Sequence, residues 1–167
     1  PRDILTLYAV TGGVAKYLEL LIEAEALTER QIVEFIFSNA GGWLRSEGAI
    51  YLANEFRADS PIYLQILKKV AAGKIRWNEI QDGIDTIVSP YISRLEQFRL
   101  LEKNIPFGAK AGTRNSRYRV VDPYFHFWLK FVDPLESRTL AEANRWGVLI
   151  EKTLGSLSTY LCRAREN

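Results

Sequence analysis

Between Pro61 and Gly73, apolar residues fall at Ile62, Tyr63, Ile66, Leu67, Val70 and Ala71. That is the i, i+1, i+4, i+5 stripe of an amphipathic helix, with Gly73 as its stop. Trp77, Ile80 and Ile84 make a second, short helical face that closes near Gly83. Val88, Tyr91, Ile92, Leu95 and Phe98 make a third. Ser89-Pro90 suits its start, with Ser as N-cap and Pro at the first helical position. The period then changes. Leu100–Lys103 and Ser116–Val121 read as strands, and between them Gly108–Ser116 is a polar, Gly-containing loop. Three helices followed by a hairpin with a long loop is the order of a winged helix-turn-helix.

The flanks carry helical patterns of their own. Val14, Tyr17, Leu18, Leu21 and Ile22 form one face, introduced by Thr11-Gly12-Gly13. Thr28 and Gln31 have the spacing of a capping box ahead of Ile32, Phe35 and Ile36. Gly41-Gly42 interrupts, and Ser46 is placed to cap a helix bearing Ala49, Leu52, Ala53 and Phe56. Asp59-Ser60-Pro61 reads as a turn. After the hairpin, Tyr124, Phe127, Trp128 and Phe131 repeat at helical spacing up to Asp133-Pro134. Trp146 to Leu161 predicts a last helix, weakened by Gly147 and Gly155. The expected class is mainly α: a helical bundle over 1–58, a winged helix with a small β-hairpin over 59–122, and a C-terminal helical extension over 123–167.

Charge sharpens this division. The net charge is +2, but residues 1–58 hold 5 basic and 8 acidic residues, and 59–122 hold 11 and 7. The positive charge thus sits on the winged-helix stretch, where a nucleic-acid binder would place it. With 47% hydrophobic residues the chain has the means for a packed core. One cysteine, Cys162, allows no internal disulfide and fits a reducing compartment. No apolar run approaches the roughly 18 residues that span a bilayer, and no signal peptide is visible. A cytoplasmic location is therefore expected. The chain opens on Pro1-Arg2-Asp3 and contains no Met. It reads as part of a longer protein or a trimmed product, or else as a chain whose modified methionines are not written.

Candidate chemistry is sparse. ATP hydrolysis requires a phosphate loop of the form Gly-x-x-x-x-Gly-Lys-Ser/Thr and an acid to hold Mg²⁺, and neither is present. Lys110 lies in a wing rather than ahead of a helix. His126, the only histidine, sits between Phe125 and Phe127, and a triad needs an oriented partner. One Cys and one His do not make a four-ligand zinc site. Gly12-Gly13 either brings a backbone close to a nucleotide phosphate at a helix start or turns the chain into that helix. The basic set is more informative. Opposite Tyr91, Ile92 and Leu95, the third helix presents Pro90, Ser93, Arg94 and Gln97. The last three are residue types that contact phosphates and base edges. The wing adds Lys110, Arg114 and Arg117, with Arg119 on the returning strand. Double-stranded DNA is the partner this pattern suggests, as in a free-standing winged-helix transcription regulator, and a solvated face or a winged-helix protein-interaction module is the competing reading.

Gly12-Gly13-Val14-Ala15-Lys16-Tyr17-Leu18 resembles the Gly-Gly-x-Pro-x-Tyr-Leu motif of archaeal-type AAA ATPases, in the signal-transducing P-loop NTPase group. Similar short motifs follow in the family's order at Ser46-Glu47 through Glu55-Phe56, Tyr63 with Ile66-Leu67, Asn78-Glu79-Ile80 and Ser89 through Leu95. Pro106-Phe107, Tyr118 through Pro123, Phe127-Trp128 and Phe131-Val132 complete the series, which covers about residues 8 to 134. The resemblance implies that residues 1–58 are the helical lid of such an ATPase, with Gly12, Gly13 and Tyr17 beside the nucleotide. ATP and Mg²⁺ would then be bound by the parent protein and not by this fragment, which has no catalytic residues and no cofactor of its own. The missing N-terminal P-loop core and a C-terminal nuclease-like domain would be its neighbours. Two positions depart from the family. Ala15 stands at the motif's Pro. Arg99 replaces the Gly that usually ends the third winged-helix segment, which predicts a helix end without a left-handed cap.

Overall fold

The computed structural model describes residues 2–105 and 116–166. Among them the chain is mainly α, with one two-stranded antiparallel hairpin. The helices are α1 (Arg2–Thr11), α2 (Ala15–Glu23), α3 (Glu29–Ile36), α4 (Gly42–Phe56), α5 (Ser60–Ala71), α6 (Trp77–Gln81) and α7 (Ser89–Gln97). Strands β1 (Leu101–Asn104) and β2 (Arg117–Val120) follow, then α8 (Pro123–Phe127), α9 (Leu135–Glu142) and α10 (Trp146–Glu166). Two compact units emerge: residues 1–48 with 127–167, and residues 49–126. The stretch read as a junction, Asp59-Ser60-Pro61, closes a 3-10 turn (Arg57–Asp59) and opens α5.

In the first unit, α10 packs on α1, α3 and α9. Its core gathers Val10, Leu21, Ile32, Val33, Ile36, Phe37, Leu149 and Leu157, each no more than 2% exposed. The predicted capping box of α3 forms, with the Thr28 and Gln31 side chains serving each other's backbone N–H. A second acceptor at this helix start was not legible: Asp3 of α1 takes the Glu29 N–H at 2.9 Å. Ser46 caps nothing. It lies inside α4, where its hydroxyl donates back to the carbonyls of Gly42 and Trp43. The helix starts earlier, at Gly42, and within it Arg45 reaches back to the carbonyls of Ile36 and Ser38 and stacks on Trp146, 4.7 Å away. The aromatic run after the hairpin passes from α8 into a π-helical turn (Trp128–Val132). There Trp128 lies against Gly48 and donates to the Arg45 carbonyl at 2.7 Å.

In the second unit, α5 packs on α6, α7 and β2, and α7 packs on β1. Ile66, Leu67, Ile80, Val88, Ile92, Leu95 and Leu101 are all buried between them. The hairpin register pairs Leu101 with Val120, Glu102 with Arg119, Lys103 with Tyr118 and Asn104 with Arg117. A third short segment joins β2: Arg76 bridges Arg117, and the Tyr118 N–H donates to the Ile75 carbonyl at 2.8 Å. Two expectations at the ends of α7 need correction. Ser89 is the first helical residue rather than its cap, and its hydroxyl accepts from the Trp77 indole at 3.0 Å. The far end does close left-handed. Arg99 has φ +56°, its N–H bonds Glu96, and the Leu100 N–H bonds Leu95. That is a Schellman end built on arginine, a conformation glycine adopts more cheaply.

Candidate nucleic-acid interface

The expected reading face is assembled on α7. Tyr91, Ile92 and Leu95 turn inward, Tyr91 edge-on to Tyr63 of α5 at 5.2 Å. Helical spacing then leaves Pro90, Ser93, Arg94 and Gln97 exposed on one surface. Together with Asp59, Tyr63 and Tyr91 they line an open cleft of about 390 Å³. The Arg94 guanidinium lies 5.4 Å from the Phe98 ring. The Tyr63 phenol is pushed above its ordinary range chiefly by burial; Asp59 adds to the rise and Arg94 opposes it.

Asp59 joins this cleft although its sequence context, Asp59-Ser60-Pro61, reads only as a turn. Its carboxylate opposes a phosphate at this spot. The face therefore suits a group with hydrogen-bond donors, such as a base edge, better than a sugar–phosphate strand. Of the wing cations, Lys110 and Arg114 lie outside the described residues. Arg119 is answered by Glu102, with N–O distances of 2.6 and 2.9 Å. Arg117 is exposed on the outer side of the hairpin and faces Arg76. Arg76 was also overlooked. The only sequence signal for it was an extended Ile75-Arg76 between Gly73 and the next helix.

Gly12, Gly13 and Tyr17 come together at the start of α2. Both glycines have positive φ, +61° and +78°, and carry the chain through a tight left-handed corner between α1 and α2. The Gly13 N–H donates to the Thr11 hydroxyl at 3.2 Å, and the Val14 N–H donates to the Thr11 carbonyl. Tyr17 meets Trp43 edge-on at 5.4 Å, and its hydroxyl donates to Glu47 at 3.4 Å. This ties the motif tyrosine to α4. His126 is half-buried on α8, and Cys162 is exposed. Among the described residues, no group of three or more His, Cys, Asp or Glu side chains is placed to hold a metal ion. Nor is any helix long and apolar enough to cross a membrane.

Against known proteins, the chain is 21% identical over 136 residues to an uncharacterized protein of Methanocaldococcus jannaschii. The match covers 80% of this chain but only 30% of that protein. No family model matches, and no solved structure does.

Proposed function

We propose that residues 49–126 bind duplex DNA, with α7 entering the major groove through Ser93, Arg94 and Gln97. We further propose that the chain is the lid and winged-helix portion of an AAA-type ATP-binding protein. On this reading residues 1–48 respond to nucleotide held by a separate P-loop core, and the winged helix passes that state to DNA. The observation that carries the DNA reading is the α7 surface. Ile92 and Leu95 are committed to the core, and the exposed residues of the helix are Ser89, Pro90, Ser93, Arg94 and Gln97, with Glu96 half-buried. The helix–helix–helix–hairpin order supports it, as does the basic balance of this stretch. The ordered family motifs support the ATPase assignment. Asp59 and the exposed Ile87 beside α7 favour a second reading, in which the same face docks a protein.

Fluorescence anisotropy with duplex DNA across a salt series separates the two. Arg94→Ala should cost about 1–3 kcal/mol, chiefly on a preferred sequence, if Arg94 reads a base. Wild-type protein that fails to bind any duplex at low salt would move the face to a protein partner. The chain alone, lacking a phosphate loop, should show no micromolar ATP binding by calorimetry.

A further inference from the structure

Two arginines face each other at the base of the hairpin. Arg76 and Arg117 are bridge partners on adjacent antiparallel segments, so their side chains leave the same face from Cβ atoms about 4.5–5.5 Å apart. That face is the outer one: Tyr118, the next residue on β2, is buried, and alternation turns Arg117 and Arg119 the other way. Asn104 sits on the far side of Arg117 in the same row. Arg119 has Glu102 as its counter-charge. Among the described residues, no ion pair involves Arg76 or Arg117. Glu79, close to Arg76, accepts from the Arg76 backbone N–H at 2.9 Å.

Like charges directly opposite on neighbouring strands oppose folding. A chain that places two there breaks a local rule, and such violations concentrate where a ligand completes the arrangement. The next residue, Trp77, is bonded through its indole to Ser89, the first residue of α7. The arginine pair is thus tied to the start of the helix proposed to read the groove.

We infer that Arg76 and Arg117 are a two-arginine clamp for one backbone phosphate of the DNA strand bordering that groove. The inference rests on the DNA reading above. A phosphate supplies a counter-charge that both arginines can share, and two guanidinium forks can bracket its oxygens. The division of labour is then chemical. The α7 cleft carries a carboxylate and suits base edges, while the hairpin base sets two arginines side by side and holds the backbone.

The test compares wild type, Arg76→Gln, Arg117→Gln, the double variant and Arg119→Gln by anisotropy on one duplex across a salt series. The double variant should flatten the slope of log K against log salt by about one unit. Each single variant should lose most of what the double loses, because one clamp is broken either way. Arg119→Gln should change the slope least. Thermal melts at low salt should place the double variant at or above wild type, since a repulsion has been removed. This separates lost binding from lost folding. A wild-type slope in the double variant overturns the clamp and leaves the DNA reading standing. So do single losses of a full unit each that simply add, which would mean two independent contacts. A double variant that melts well below wild type shows the pair to be structurally satisfied and overturns the clamp as well. No duplex binding by wild type removes both proposals.

Discussion

Gly48 and Gly155 both lie inside helices, yet alanine at the two positions should act with opposite sign. A Cβ at Gly48 would lie 2.6 Å from Cδ2 of Trp128 and 2.7 Å from its Cε2. Carbon atoms rest about 3.5–4.0 Å apart, so the indole must retreat by about 1 Å. It has little room, being 3% exposed, and its Nε1 is held at 2.7 Å from the Arg45 carbonyl. Overpacking costs about 1–3 kcal/mol. A displaced indole also weakens a bond contributing about 1 kcal/mol. Alanine's helix propensity returns about 1 kcal/mol. The net expectation for Gly48→Ala is a loss of about 1–3 kcal/mol, or roughly 2–4 °C of Tm per kcal/mol for a chain of this size. At Gly155 of α10 nothing lies within 4 Å of a built Cβ, so Gly155→Ala should gain about 1 kcal/mol from propensity alone. Guanidinium denaturation followed by circular dichroism and tryptophan emission reads both. In a Trp128→Phe background most of the Gly48→Ala cost should vanish, because the smaller ring frees the space. If Gly48→Ala matches or exceeds wild-type stability, the packing argument fails.

Three further outcomes follow from described contacts. Arg45→Met should cost about 1–3 kcal/mol in a denaturant melt, since the carbonyls of Ile36 and Ser38 lose their donor at the end of α3; an unchanged midpoint would mean water replaces it freely. Arg99→Gly should raise stability by about 1 kcal/mol, because φ +56° suits glycine, and a lower melting temperature would contradict the assigned conformation. Burial holds the Asp122 carboxyl above its ordinary range, against the pull of the backbone N–H groups of Phe125 and Tyr124. Its contribution to stability is therefore full below the unfolded pKa of about 3.9 and is lost as pH rises through the folded value. Asp122→Asn should gain on wild type between pH 3 and pH 7 in paired melts, and a gain in the opposite direction would refute the sign.

What the sequence disclosed was local. The stripe at Ile62, Tyr63, Ile66, Leu67 and Val70 located α5, and the alternation around Tyr118 located β2, because each buries one face against a nearby element. Thr28 and Gln31 named the start of α3 by capping chemistry alone. The misses needed distant partners. Asp3 caps a helix 26 residues on, Arg45 caps one from behind, and Ser89 reads as a cap only because nothing local shows that Trp77 claims its hydroxyl. The helix α9 went unread because its face is weak; none of its residues is buried. The α7 face was legible from spacing. Asp59 and Arg76 were not, since only the fold brings a turn residue to the α7 cleft and sets Arg76 beside Arg117 at the hairpin.

The first unit is assembled from the two ends of the chain, with residues 49–126 inserted between them. Synthesis on the ribosome therefore delivers it in instalments. The inserted unit is one continuous segment and can close as soon as it emerges. At about 5–20 residues per second, its 78 residues take about 4–16 s to make, and α10 comes later still. Through that interval Val10, Ile32 and Ile36 wait without the Leu149 and Leu157 side of their core. A nascent chain stalled before residue 127 would thus carry a finished second unit and an open, chaperone-accessible first one, so that residues 1–48 gain their protection only after the unit that follows them in the sequence.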